Sequence, residues 1–233
     1  MFISSFRIYL STLQFKIELL YLHFQENYTI KMNPDLNSSI ALDFLHTLKT
    51  ETAVSHKKLE SLPISSCILS PDMKMNDYAH YLRLMYDVHY DVEEKIFPLL
   101  ADLKIDLKER TKKHLIEQDL NFLRYKTNSP TPVFHTENIS IPFALGILYV
   151  VEGSTLGGRF ILKNLETIDG LDQGNGVAYF TGYGNKTGSQ WKLFLNFLTD
   201  YEEQFNCKAA IIEGATYAFD CIYNHFLLIK NEN

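Results

Sequence analysis

The chain predicts an all-α, single-domain fold on three observations. Apolar residues recur at three- and four-residue steps along most of its length, no stretch alternates strongly enough to build a sheet, and prolines and capping residues punctuate the helical stretches. At 233 residues it can bury one full core, so one domain is the economical organisation. A first helix is predicted from Asn37 to Leu62, with Asn37, Ser38 or Ser39 as its cap and Pro63 beyond its end. A second is capped at Asn76, carries Tyr78, Tyr81, Leu82, Met85, Val88, Val92 and Ile96 at helical spacing, and is limited by Pro98. A third covers Leu107 to Lys126. After the proline-rich turn from Ser129 to Pro132, Ser140 caps a fourth helix, which has Pro142 in its first turn and runs past Arg159 to Glu166. Six glycines between Gly170 and Gly188 make Ile168 to Gly188 a long irregular segment, and such loops in compact domains often carry function. Helices from Ser189 to Phe205 and from Ala209 to Ile229 complete the chain.

Composition narrows the function. A net charge of -6 and a pI near 5.7 argue against nucleic acid as a partner, because phosphate neutralisation needs a basic face. Cys67, Cys207 and Cys221 show no CxxC spacing and leave an odd thiol, which suits a reducing cytoplasm and predicts no disulfide. Residues 1–31 are apolar but broken by Arg7, Lys16, Glu18 and Glu26, so they contain neither a clean spanning run nor a signal peptide, and no firm membrane association is expected. They read as a disordered or spurious extension, with Met32 as the natural start and 32–233 as the domain.

The fourth helix is the most informative segment. At 100° per residue, Gly146, Gly153 and Gly157 fall within about 20° of one line, with Tyr149 and Val150 flanking it and Gly158 well off it. Each mid-helix glycine costs about 1 kcal/mol relative to alanine, a loss that packing or binding must offset. Two readings fit: a bare backbone face on which something flat lies, or close packing against another helix. Known nucleotide motifs are absent, and no paired Glu-x-x-His motifs support a carboxylate di-metal site. His56 follows Lys49 by seven residues and so lies within about 20° of it on the first helix. A neutral imidazole there is a competent axial ligand for haem iron, and a lysine two turns away can meet a propionate; a lone helical histidine serves equally as surface or packing.

Taken together, Thr52-x-x-x-His56-x-x-Leu59-Glu60, the run from Leu148 through Glu152-Gly-Ser-Thr-Leu-Gly-Gly158 to Arg159, and Phe180-Thr-Gly-Tyr-Gly-Asn-Lys-Thr-Gly-Ser-Gln-Trp191-Lys-Leu-Phe194 resemble the bacterial biliverdin-producing haem oxygenase family, especially its bacteriophytochrome-associated branch. The similarity spans Phe44 to Phe226. It implies haem, at once substrate and cofactor, held between a proximal helix whose His56 ligates the iron and a distal helix whose Gly146, Gly153 and Gly157 face the ring. It further implies Lys49, Tyr149 and Tyr217 as propionate partners, with amphipathic packing at a pocket rim as the other reading of the two tyrosines. The implied reaction uses dioxygen and an external electron donor, a ferredoxin or a flavin reductase, and yields biliverdin, carbon monoxide and ferrous iron; a bacteriophytochrome is a natural consumer. Animal-type members carry an aspartate after the first distal glycine, where this chain has Ser154, so relay through that side chain is in question and backbone carbonyls with water are the expected substitute. A haem carrier without turnover, a thiaminase-like enzyme on the same fold and a helical interaction module are the competing readings.

Overall fold

The computed structural model describes residues 37–228 apart from 71, 127 and 173; the segment 1–31, Met32 and the last residues of the chain lie outside the described residues. In chain order the α-helices are α1 (Asn37–Glu60), α2 (Pro63–Cys67), α3 (Met75–Asp91), α4 (Lys113–Phe122), α5 (Ile141–Ser154), α6 (Gly158–Leu165), α7 (Ala178–Thr181), α8 (Thr187–Phe205) and α9 (Lys208–Leu228). Among the described residues the only sheet-like pairing is an isolated bridge between Asp172 and Asn175. No described helix is long and apolar enough to cross a membrane.

α9 organises the fold. It packs most extensively on α5 and next on α1, burying Ile211, Ala215, Ala218, Phe219, Ile222 and Phe226 at helical spacing. Each such large side chain contributes about 1.5–3 kcal/mol when fully buried. α1 and α5 share no extensive contact with each other, while α8 touches both. α1 and α5 are thus both seated on α9, with α8 touching each of them.

Buried carboxylates hold the irregular segments. Asp87 of α3 accepts from the Thr131 amide at 3.0 Å, and Asp91 one turn on accepts from Val133 and Phe134 at 2.7 and 2.9 Å. Glu93 accepts from both Lys112 and Lys113 at 2.7 Å, and Asp119 accepts from Ala178 and Tyr179 at 2.7 and 2.8 Å. The first amides of a helix have no intrahelical acceptor, so Glu93 and Asp119 act as remote caps for α4 and α7. Asp87 also binds Arg83, and His225 Nε2 of α9 stands 3.1 Å from its other oxygen without hydrogen-bond alignment.

These remote caps explain where the boundaries differ from expectation. The third helix does not start at Leu107: Lys108–Arg110 is one 3₁₀ turn, and α4 begins at Lys113 where Glu93 caps it. α7 forms inside the segment predicted as irregular because Asp119 supplies its cap from 59 residues away. The second helix is entered at Lys74, whose amide donates to Asp77 at 3.2 Å, so Asn76 lies inside its first turn. Ser140 caps α5 as expected, accepting from Phe143. The fourth predicted helix, however, is broken into α5 and α6 by a 3₁₀ turn at Thr155–Gly157.

Candidate functional site

The glycines of α5 and α6 divide by what a side chain would meet. A Cβ at Gly146 would stand 2.1 Å from the Ile211 carbonyl oxygen, and one at Gly214 would stand 2.0 Å from that of Phe143. Here α5 and α9 cross backbone to backbone, so Gly146 serves helix packing; its sequence assignment to a cofactor face is corrected, because the last helix occupies that face. Gly158 is likewise closed, its Cβ falling 2.9 Å from the Phe180 carbonyl oxygen. Gly153 and Gly157 differ. Their Cβ atoms would meet only the Trp191 ring edge at 3.5 Å and Ile161 Cδ1 at 4.0 Å, which are ordinary contacts. Gly157, at φ −71 and ψ −16, has a backbone that any residue adopts. Nothing in the folded chain demands glycine at either position.

His56 stands on α1. Its side chain is 50% exposed, its ring lies 5.2 Å from that of Phe219 on α9, and Nε2 is 3.3 Å from Glu60 Oε1. Ser55 ties the same turn to α9 through Asp220 at 3.4 Å. Lys49 is half-buried two turns earlier. Tyr149 is buried on α5 with its ring 5.5 Å from that of Trp191, and Trp191 covers Gly153 from α8. Tyr217 does not join this group. Its hydroxyl accepts from the His135 amide at 2.8 Å and donates to the His135 carbonyl at 3.2 Å, with Phe134 and Phe143 beside its ring. It is two residues, about 200°, round α9 from the Phe219 that meets His56, and it clamps the 133–135 segment. Ser154 turns toward α7 and donates to the Val151 carbonyl at 2.7 Å, sharing a shallow cleft with Thr155, Tyr179 and Tyr183.

Behind the glycine segment lies a polar cluster that sequence reasoning missed. Glu152, 3% exposed, is bound by Arg110, itself 4% exposed, and by the Tyr183 hydroxyl at 3.1 and 3.0 Å from its two oxygens. Burial raises the Glu152 carboxyl pKa, opposed by the Arg110 and Lys112 charges. Lys112 sits 3.6 Å over the Tyr183 ring, and burial lowers its ammonium to about 8. His89 Nε2 is 3.1 Å from the Tyr179 hydroxyl, and burial, with the Lys112 charge, lowers the imidazole to about 3, so it is neutral. One signal was available: Glu152 is the sole charged residue from Ile141 to Gly158, and a carboxylate on so apolar a helix needs a buried partner.

A helical fold in which one helix on α9 presents a half-exposed imidazole, and the other carries glycines that no packing contact requires, suits a flat ligand that offers a coordination site. A family model described as Heme oxygenase matches residues 42–227, and the chain belongs to the heme oxygenase family. Membership makes haem its bound molecule and heme degradation its general activity. Heme oxygenase PigA of Pseudomonas aeruginosa is 27% identical over 170 residues, covering 71% of this chain and 82% of that protein. Among solved structures, a heme oxygenase from Leptospira interrogans superposes with a TM-score of 0.65 at 18% identity, covering 78% of this chain and 98% of that one. The NO- and CO-bound heme oxygenase of Neisseria meningitidis gives 0.63 at 24% identity, covering 79% and 92%. The two superpositions support the all-helical fold.

Proposed function

We propose that this protein cleaves haem at a meso carbon, using dioxygen and electrons from a ferredoxin or flavin reductase, to give biliverdin, carbon monoxide and ferrous iron. The observation that carries the reading is the pair Gly153 and Gly157, which pay the helix cost of glycine with no packing partner that needs it, in a chain whose other helix on α9 bears His56. The residues fit haem: an accessible imidazole on α1, glycine backbone with room for a ligand at and just after the end of α5, and the aromatic side chains Trp191 and Phe219 nearby.

When bound, haem supplies both the iron that holds dioxygen and the ring that is opened. His56 would hold the iron through Nε2, which requires Glu60 to swing aside; their contact is an exposed one, worth about 1 kcal/mol or less. Gly153 and Gly157 let backbone approach the ring and keep bulk away from the oxygen side. Lys49 and Tyr149 orient the ring through its propionates, each contributing about 1 kcal/mol, so they set its angle more than its affinity. Trp191, beside Tyr149, and Phe219, beside His56, would exclude water from the bound ring. The Ser154 hydroxyl is turned back on Val151, so proton delivery falls to backbone carbonyls near Gly153 with water. The resemblance to the phytochrome-associated branch supports biliverdin as the product and a bacteriophytochrome as its consumer; a cytoplasmic setting agrees with the three free thiols.

The test is an optical titration of the purified protein with ferric haem, followed by reductant in air, with His56→Ala in parallel. A saturable Soret band that bleaches into a biliverdin spectrum is expected, with the native ferric spectrum lost in the variant. A Soret band stable against several donors would make the protein a carrier, and an unchanged spectrum in His56→Ala would remove the proposed ligand.

A further inference from the structure

Gly153 and Gly157 have no side chains with which to hold their own segment, so neighbours must fix it. Thr155 cannot: its hydroxyl donates to the Glu152 carbonyl at 2.7 Å within the same turn. Ser154 likewise donates to the Val151 carbonyl at 2.7 Å, and beyond its turn it meets the Tyr179 hydroxyl. Glu152 holds more firmly, because it adjoins Gly153 and its buried carboxylate is bound by two other parts of the chain and linked through one of them to a third. Arg110 binds one oxygen and also donates to the Gln190 carbonyl of α8 at 3.4 Å. Tyr183 donates to the same carboxylate. It is mounted between Gly182 and Gly184, whose φ of +45 and +55 only glycine adopts readily, and Lys112 caps its ring. A ring capped by Lys112 and carried in so tight a turn delivers its hydroxyl to one place.

We propose that Tyr183 is a positioning residue: its hydroxyl, acting through Glu152, sets the backbone of Gly153 to Gly157 at the distance from α1 at which haem is seated. This rests on the haem reading above and adds to it a residue that touches neither haem nor its ligand. A hydrogen bond to a buried carboxylate is among the stronger kinds, and its loss leaves Glu152 held by Arg110 alone.

Tyr183→Phe tests this in the full chain, since it removes one oxygen and keeps the ring and its lysine cap. Two readouts are needed. Amide hydrogen exchange across 155–160, without added haem, is expected to be about tenfold faster in the variant. Titration with ferric haem is expected to show a Kd raised about tenfold and a displaced Soret maximum with an altered balance of high- and low-spin bands. Faster exchange with an unchanged Kd and spectrum would make the hydroxyl merely structural and overturn the proposal, as would no change in either readout. Saturable binding by the parent with an unaltered variant sinks this inference alone, whereas no saturable binding by the parent removes the haem reading and this inference with it.

Discussion

The two ends of one glycine-bearing helix make opposite use of the same residue. At Gly146 the missing side chain is filled by protein, with the α9 backbone entering to within 2.1 Å of where a Cβ would be. At Gly153 and Gly157 it is filled by nothing closer than 3.5 Å. Glycine spacing alone therefore does not define a ligand face; what a Cβ would strike does. The packed end gives the helix its place in the fold, and the other end runs into the 3₁₀ turn at Thr155–Gly157, where we propose that haem lies.

This contrast can be broken experimentally, beginning where the effect is largest. Gly146→Ala drives a methyl into a carbonyl and should destabilise the protein by about 3 kcal/mol, read as a lowered denaturant midpoint. A neutral result would mean that α5 and α9 are not in backbone contact. Next comes acid. The open end is backed by α7, whose Phe180 carbonyl closes on Gly158 and whose Tyr179 meets His89. Since burial lowers His89 from 6.5 to about 3, the unfolded chain binds the extra proton between those values. Stability contributed by this group should thus fall as pH drops below 6.5, by about 1.4 kcal/mol per pH unit, and that increment should vanish in His89→Leu when melts are compared across pH. Equal acid slopes in the two proteins would show that His89 titrates normally.

Smaller and of opposite sign, Gly153→Ala and Gly157→Ala should each stabilise the protein without haem by about 0.5–1 kcal/mol while weakening haem binding about tenfold, a divergence visible by pairing thermal melts with titration. Parallel changes in the two quantities would put these positions in the packed class with Gly146. The least effect is expected from Ser154→Ala, whose hydroxyl is already spent within its own turn; turnover should stay within about threefold of the parent. Abolished turnover with intact haem binding would make the serine a relay member.

The helical class and Ser140 as a cap were legible because each is a local matter of periodicity or capping. What was not legible depended on partners distant in sequence. Gly146 aligned with Gly153 and Gly157 on a straight wheel, but the wheel does not reveal that α9 covers one end, nor that a 3₁₀ turn breaks the line. Tyr217 sits on the same helix as Phe219 yet meets His135, because helix rotation separates the two. Asp119 capping α7, and Arg110, Lys112 and Tyr183 converging on Glu152, join segments that no short window contains. Trp191 stood inside a recognised motif, but its contact with Gly153 comes only from the crossing of α8.

The most direct test of the central claim is Gly157→Leu, measured by thermal unfolding and by optical titration with ferric haem. The open-backbone account predicts a protein at least as stable as its parent that no longer gives a saturable Soret band, because leucine fills the space left for the ring. A clear loss of stability would show that Gly157 is packed, and undiminished haem binding in a stable variant would show that haem does not lie against it.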